Sequence, residues 1–476
     1  MVAYYFDLAL RSFRRNKALT VLMVLAIALG IGASMTTLTI FHVLSGDPIP
    51  QKSDRLFYVQ MDPATMDGYN AGEEPDFQLT RYDAEELLRQ KRGDRQAMMT
   101  GGSVAIEPQK EGLDPFYADT RYTSADFFAM FDTPFRYGHG WSGTEDANRA
   151  RVAVISSALN DKLFAGADST GKTVRLDQAD FRVVGVADDW RPTPRFYDLN
   201  SSRYGAAEQA FLPFSTSRDL RMSRNGSMNC WANGNESDDP EGETGINAPC
   251  VWIQYWVELA TPAKAEAYRQ YLTNYSDQQR ASGRFERPTN VRLRSLMEWL
   301  DFREVVPGDV RLQVWLAFGF LAVCLLNTVG LLLAKFLRRS SEIGVRRALG
   351  ASRRAIFAQC LVEAGTVGLL LAKFMRRASE IGVRRALGAS RRAIFAQCLV
   401  EAGTVGLAGG VLGLGLALLG LWAVRQQPVS YADLAHLDPV MLATTFVLAI
   451  AASVLAGLVP AWHACQVTPA VQLKSQ

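Results

Sequence analysis

Residues Glu342–Leu369 read EIGVRRALGASRRAIFAQCLVEAGTVGL, and the same 28 letters return at Glu380–Leu407. The full repeat runs from 328–369 to 366–407, and its copies differ only at Leu337/Met375 and Ser340/Ala378. Each copy follows an apolar run and carries four arginines: Arg346, Arg347, Arg353 and Arg354 in the first, Arg384, Arg385, Arg391 and Arg392 in the second. Short Lys/Arg-rich loops beside apolar spans stay on the cytoplasmic side of a membrane. A repeat length in this range also occurs in solenoids. Two nearly identical copies with unrelated flanks instead indicate tandem duplication of one cytoplasmic loop.

Working outward from that loop gives the topology. The chain has 476 residues, 48% of them apolar, and a net charge of +3. These averages hide segregation, because the middle is polar and the apolar runs lie towards the two ends. The run at 18–44 exceeds the roughly 7–15 residues of a signal-peptide core and reaches the ~20 needed to cross a bilayer. Arg11, Arg14, Arg15 and Lys17 precede it and place residues 1–17 in the cytoplasm. A second run, 311–335, ends at Lys335, Arg338 and Arg339. Residues 400–424 and 439–461 supply the third and fourth, joined by an outer loop at 425–438, with a cytoplasmic tail at 462–476. The expected fold class is therefore a membrane protein. It is an α-helical bundle of four transmembrane helices, with a large α+β extracytoplasmic domain (45–310) inserted between helices 1 and 2. Residues 336–399 form the duplicated cytoplasmic segment. Within it, 355–374 is long enough to span, but spanning would move the second arginine cluster outside. It is expected to lie at the interface or dip in and return near Gly365 and Gly368.

Inside 45–310, several stretches announce their structure. Residues 150–156 and 251–259 read as strands, and 157–166 as a short helix with glycine at its end. Residues 172–190 read as a hairpin around 177–180. Residues 261–280 read as a helix capped by Thr261 with Pro262 in its first turn. The Gly/Asn-rich stretch 223–250 reads as a long surface loop, with Cys230 and Cys250 at its ends. In an oxidising compartment these two are expected to form a disulfide.

The loop itself has the makings of a short rigid helix. Ser341 can cap it, and Glu342 sits in the first turn, favoured by the helix dipole. Glu342 and Arg346 are spaced i,i+4. Val345, Ala348 and Leu349 form an apolar stripe, and Gly350 can end the helix. Without further information, a basic juxtamembrane helix anchored to anionic lipid competes with a protein-docking helix.

At this point a resemblance decides. The order is one span, a large outer domain, then three spans. The motif Ser341-Glu342-Ile343-Gly344-Val345-Arg346-Arg347-Ala348-Leu349-Gly350-Ala351, its copy at 379–389, and the ending Pro460-Ala461-Trp462-His463-Ala464 with Pro469 resemble the MacB/FtsX-type permeases of ABC transporters. The outer domain is similar to the MacB periplasmic core domain at 124–128, 152–156, 162–164, 171–174 and 181–186. The second loop copy departs from the family pattern. The resemblance implies a permease subunit for efflux or export in a bacterial inner membrane, with a large periplasmic domain. It implies that Glu342, Ile343, Gly344, Arg346, Arg347, Leu349 and Gly350, with Glu380, Ile381, Gly382, Arg384, Arg385, Leu387 and Gly388, couple to a separate ABC ATPase subunit. It further implies a homodimer or a heterodimer with a related permease, contact with membrane lipid, and a periplasmic membrane-fusion adaptor. The alternative is an FtsX-like signalling subunit that activates periplasmic enzymes.

Other signals carry less. Residues 166–173 fit GxxxxGK[ST], but the phosphate loop needs a strand before it and a helix after it. Here a helix precedes and a strand follows, so the expectation is a helix-to-strand turn, with ATP hydrolysis on a partner and this chain not an enzyme. His42, His139, His436 and His463 lack metal-ligand spacing. No catalytic residue, cofactor, metal or nucleic-acid partner is expected. Cys324, Cys360, Cys398 and Cys465 read as small buried hydrophobes. Trp231, Trp252 and Trp256 read as packing residues.

Overall fold

The computed structural model describes residues 17–109, 112–201, 203–205, 207–231, 241–337 and 391–426, together with 443, 444, 447 and 451. The chain divides into an outer unit, Leu44–Val305, and a second unit formed by the segments on either side of it.

The outer unit is built on one 13-stranded sheet. In chain order its first elements are β1 (Leu56–Met61), β2 (Leu79–Thr80), β3 (Arg95–Glu107), β4 (Phe116–Thr123), β5 (Phe135–Gly138), β6 (Val152–Ser156) and β7 (Thr173–Leu176). They are followed by β8 (Ala179–Ala187), β9 (Ala210–Pro213), β10 (Arg224–Asn225), β11 (Asn229–Cys230), β12 (Cys250–Glu258) and β13 (Val291–Ser295). The spatial order is β13-β1-β12-β3-β4-β9-β6-β8-β5. β12 and β13 each pair antiparallel with β1, so they run parallel to each other with β1 between them. Likewise β1 and β3 run parallel with β12 between them. Helix Arg81–Gln90 makes the crossover from β1 to β3, and helix Pro262–Ala281 that from β12 to β13. Two interlocked split βαβ units of this kind make a ferredoxin-like core. Residues 108–249 are inserted into its central hairpin and extend the same sheet through β4, β9, β6, β8 and β5.

Local chemistry explains the elements. Helix Pro262–Ala281 starts at Thr261, whose side chain accepts from the Lys264 amide at 3.3 Å. Ala265, Tyr268, Leu272, Tyr275 and Ser276 bury one face of it, as expected of an amphipathic helix laid on a sheet. All nine residues of β12 are buried, because both faces of that strand are covered. Tyr255, Val257 and Ile253 join the apolar core with the helices. Gln254 and Trp256, on the opposite face, meet the segment around Tyr197 and Asp198.

Two expectations are corrected in detail. The turn of the β7–β8 hairpin is only Asp177-Gln178, both with left-handed φ (45° and 65°). Ala179 and Asp180 already pair in the ladder, because two left-handed residues match the twist of the flanking strands. The stretch 223–250 is not simply a loop. Arg224 and Asn225 pair with Gly102 and Gly101 of β3, and Asn229 and Cys230 pair with Val251 and Cys250 of β12. These pairings reach far along the chain, so local composition does not announce them.

Among the described residues, the second unit has three helices long and apolar enough to cross a membrane, with candidate spans Val21–Ser45, Gly308–Leu331 and Leu407–Arg425. The helices themselves are Lys17–Ser45, Gly308–Leu337 and Arg391–Arg425. The expected span at 439–461 and the tail at 462–476 lie essentially outside the described residues.

Candidate functional site

The arginine-rich motif residues, Glu342–Gly350 and Glu380–Gly388, lie outside the described residues. What the structure does describe is the machinery on either side of them: the packing of the helices, and the points where the chain enters and leaves the outer unit.

The first helix packs on the third through a seam of small residues. A Cβ added at Gly409 would lie 2.6 Å from Ile27 Cγ2, and one at Gly413 would lie 3.0 Å from the Ala28 carbonyl oxygen. One at Gly420 would lie 2.6 Å from Thr36 Oγ1, and one at Gly32 would lie 2.8 Å from Leu416 Cβ. Gly409, Gly413 and Ala417 recur every fourth residue, the spacing that lets backbones approach closely in lipid. Thr36 Oγ1 donates to the Gly32 carbonyl at 2.9 Å and reaches that of Ala417 at 3.5 Å. The first helix meets the second through Gly30, opposite Leu321 and Cys324, and through Ser34 Oγ, which donates to the Ala317 carbonyl at 3.2 Å.

In the outer unit, both chain roots reach one buried cluster. After the first helix, Lys52 Nζ donates to the Ala129 carbonyl at 2.6 Å and pairs with Asp132 at 2.5 Å. That ties the entry to the 129–132 turn, whose Phe131 packs on Phe196 and Trp256 with ring centroids 5.3 and 5.9 Å apart. At the exit, Tyr204 donates its hydroxyl to the Val305 carbonyl, Arg203 to that of Glu304 at 3.0 Å, and Arg303 to Asn200 Oδ1 at 2.5 Å.

Between the two roots lie four buried charges. Arg121, on β4, pairs with Asp198 at 2.7 Å and with Glu208 through Nε at 3.0 Å. Arg195 reaches Glu208 at 3.3 Å, and Tyr197 donates to Glu208 at 2.7 Å. Two cations and two carboxylates balance, which is what makes their burial tolerable. Burial works against Asp198's charge, but Arg121 and Arg195 overcome it and hold its carboxyl down to about 2. Glu208 is held low by the same arginines against its burial, and burial beside Glu208 drives the Tyr197 hydroxyl upward. A different carboxyl goes the other way: burial pushes Asp146 up to about 6, despite bonds from the Ala125 amide and Ser215 Oγ.

The remaining sequence candidates fall as follows. Cys230 and Cys250 are joined by a disulfide across paired positions of β11 and β12, Cα atoms 4.1 Å apart. Trp252 and Trp256 are fully buried. Lys172 follows helix Ser157–Phe164 and precedes β7, its ammonium 5.2 Å from the Phe164 ring centre. A strand at that point cannot present a helix N-terminus to phosphate. Sequence reading missed Arg121, Asp198 and Glu208. Their only signal was charge in otherwise apolar or aromatic surroundings, with partners 77 and 87 residues away.

The MacB-like periplasmic core domain family matches residues 20–275. The FtsX-like permease C-terminal family matches twice, at 314–374 and 369–469. The macrolide export ATP-binding/permease protein MacB of Salmonella paratyphi A is 22% identical over 51% of this chain and 32% of its own length. MacB of Azoarcus sp. is 23% identical over 74% of this chain and 42% of its own. The chain thus spans less than half the length of these curated relatives. Among solved structures, the periplasmic region of MacB from Actinobacillus actinomycetemcomitans is 15% identical, covering 55% of this chain and 97% of that one, with a TM-score of 0.34. The extracellular domain of the noncanonic ABC-type transporter YknZ from Gram-positive bacteria is 10% identical, covering 50% and 99%, with a TM-score of 0.32.

Proposed function

The chain belongs to the MacB/FtsX-type ABC transporter permeases, and from that premise we propose that it converts ATP hydrolysis on a separate subunit into movement of its outer domain. The observation that carries this reading is the pairing of a MacB-like core domain with an FtsX-like region that matches in two pieces. Those pieces overlap at 369–374, inside the duplicated segment, so the second copy is extra to the family pattern.

In this mechanism the arginine-rich motifs at 342–350 and 380–388 dock on the ATPase. Its closing motion enters the second and third spans, which flank them. The glycine seam passes displacement to the first span, and the outer domain receives it at both of its roots. Such a device pushes on periplasmic partners and needs no solute path through the bundle. Efflux or export is in keeping with the macrolide export for which the MacB relatives are named, and an adaptor in the periplasm would receive the movement. A dimer, homomeric or with a related permease, completes the assembly, with four spans and both termini of each chain inside.

The test is charge reversal. Changing Arg346, Arg347, Arg384 and Arg385 to glutamate is expected to abolish co-purification of the ATPase subunit from detergent extracts, while Lys172→Ala leaves it bound and active. Retention of the ATPase by the four-site variant, folded and inserted, would overturn the docking assignment.

A further inference from the structure

The described residues between 188 and 208 contain no helix and no strand, yet Phe196, Tyr197, Asp198 and Glu208 are all buried. We propose that this strap is a latch that fixes the two membrane roots of the outer domain relative to one another, with Asp198 as its hub. The proposal rests on the force-transmitting reading above for its purpose, but its geometry is independent of that reading.

Every acceptor position of Asp198 is taken. Oδ2 accepts from Arg121 Nη2 and Ser201 Oγ, both at 2.7 Å. Oδ1 accepts from the Asn200 and Ser201 amides, both at 3.1 Å, and from Gln254 Nε2 at 3.2 Å. The carboxylate therefore ties two strands, β4 through Arg121 and β12 through Gln254, to one turn of the strap, whose own backbone amides it also holds. A carboxylate with this many donors has one geometry and little freedom to leave it.

From that hub two lines run outward. The first passes through Asn200. Its amide is held by Asp198 and its side-chain oxygen accepts from Arg303, whose guanidinium lies over the rings of Phe77 (4.2 Å) and Trp299 (5.1 Å). Trp299 stacks on Tyr58 of β1 at 3.9 Å. Arg203 and Tyr204 grip the next two carbonyls, Glu304 and Val305, three residues before the second membrane helix begins. The second line passes through packing. Phe196 and Tyr197 press on Phe131, and the turn carrying Phe131 holds Lys52. A polar line through Asn200 and an apolar line through Phe196 and Tyr197 thus leave neighbouring strap residues, one for each root. The Tyr197 carbonyl also accepts from Trp256 Nε1 at 3.1 Å, fixing the branch point to the sheet.

The arrangement makes a pattern prediction that general destabilisation does not. Each line can be cut separately, and the hub cuts both. Hydrogen exchange on the full chain in lipid nanodiscs reads this directly, without any partner. The reporters are the root amides that are hydrogen-bonded: Lys52, Ser53 and Arg55 at the entry, and Arg303, Glu304 and Val305 at the exit. Asn200→Ala is expected to speed exchange at 303–305 by about tenfold or more, leaving 52–55 and strand 116–123 unchanged. Asn200→Asp keeps the acceptor for Arg303 and is expected to restore protection. Lys52→Met is expected to do the reverse, loosening 52–55 only. Asp198→Asn is expected to loosen both roots; if that variant does not fold, the two single-line variants still decide. The latch is overturned if Asn200→Ala leaves 303–305 at wild-type protection. It is equally overturned if Asn200→Ala or Lys52→Met loosens both roots and strand 116–123 together. Because no ATPase is present, failure of the transporter reading would leave this result standing, and the converse holds.

Discussion

Replacing Arg121 with methionine removes one charge from a balanced buried set of four. Arg121 and Arg195 face Asp198 and Glu208, so the wild-type cluster is neutral and Arg121→Met leaves it at −1. Arg195 remains, but at 4.0 Å from Asp198 and 3.3 Å from Glu208 it cannot replace the shorter contacts of Arg121. Breaking a buried pair from one side typically costs about 3–5 kcal/mol, mostly because the orphaned charge stays buried. A domain of this size loses about 2–4 °C of melting temperature per kcal/mol, so a fall on the order of 10 °C is expected in the tryptophan-fluorescence melt of the full chain. Adding Glu208→Gln returns the cluster to neutrality and should recover most of that loss. The pH dependence gives a second signature. Asp198 has its folded carboxyl held to about 2, below its unfolded value, so its stabilisation is present above the unfolded value and is lost as pH falls towards 2. The variant lacks that depression, and its deficit relative to wild type should shrink in acid. A melt within about 1–2 °C of wild type at pH 7, or a double variant no better than the single, would rule out the charge-balance argument.

Three further outcomes are expected. Asp146 is held above its unfolded value, at about 6, so it stabilises the fold below the unfolded value and that contribution is lost as pH rises through about 6. Asp146→Asn should therefore raise the melting temperature at pH 8 by more than at pH 4, and an equal change at both would contradict the assignment. Cutting the Cys230–Cys250 link, which spans 20 residues, by Cys→Ser at both positions should cost about 3 kcal/mol in the chain-entropy model, read as a lower denaturation midpoint. Gly413→Leu should destabilise the detergent-solubilised chain by about 1–3 kcal/mol through overpacking, whereas Gly415→Leu, where nothing lies within 4 Å of an added Cβ, should be close to neutral.

The parts of this fold that the sequence announces are the local ones. Thr261-Pro262 caps a helix because a hydroxyl and a fixed φ act within one turn. Ser156 likewise caps the helix at 157–164, bonding the Leu159 amide. The apolar spans are legible because lipid imposes length and composition directly. What stays hidden depends on distance along the chain. Cys230 and Cys250 could be suspected as partners, but the strand pairing that sets them face to face is not written in the Gly/Asn-rich letters between them. The ferredoxin-like core is masked because residues 108–249 separate its halves. Arg121 sits in FYADTRYT, where alternation suggests a solvent-facing side, and only the folded strap brings Asp198 and Glu208 to it. The stretch RPTPRFYDLN reads as a loop from its prolines and charges, and it is a loop, but a buried one. The glycine seam was present as Gly409-x-x-x-Gly413, yet which helix it faces is a tertiary fact.

The central claim is that the ATP-driven closing motion of a partner subunit moves the outer domain through its two roots. It is tested most directly by hydrogen exchange on the permease–ATPase complex in nanodiscs, with and without a non-hydrolysable ATP analogue. The account predicts that nucleotide changes protection at residues 44–55 and 296–305 while the core strand 250–258 stays unchanged. Full occupancy of the ATPase with no change at either root would contradict it.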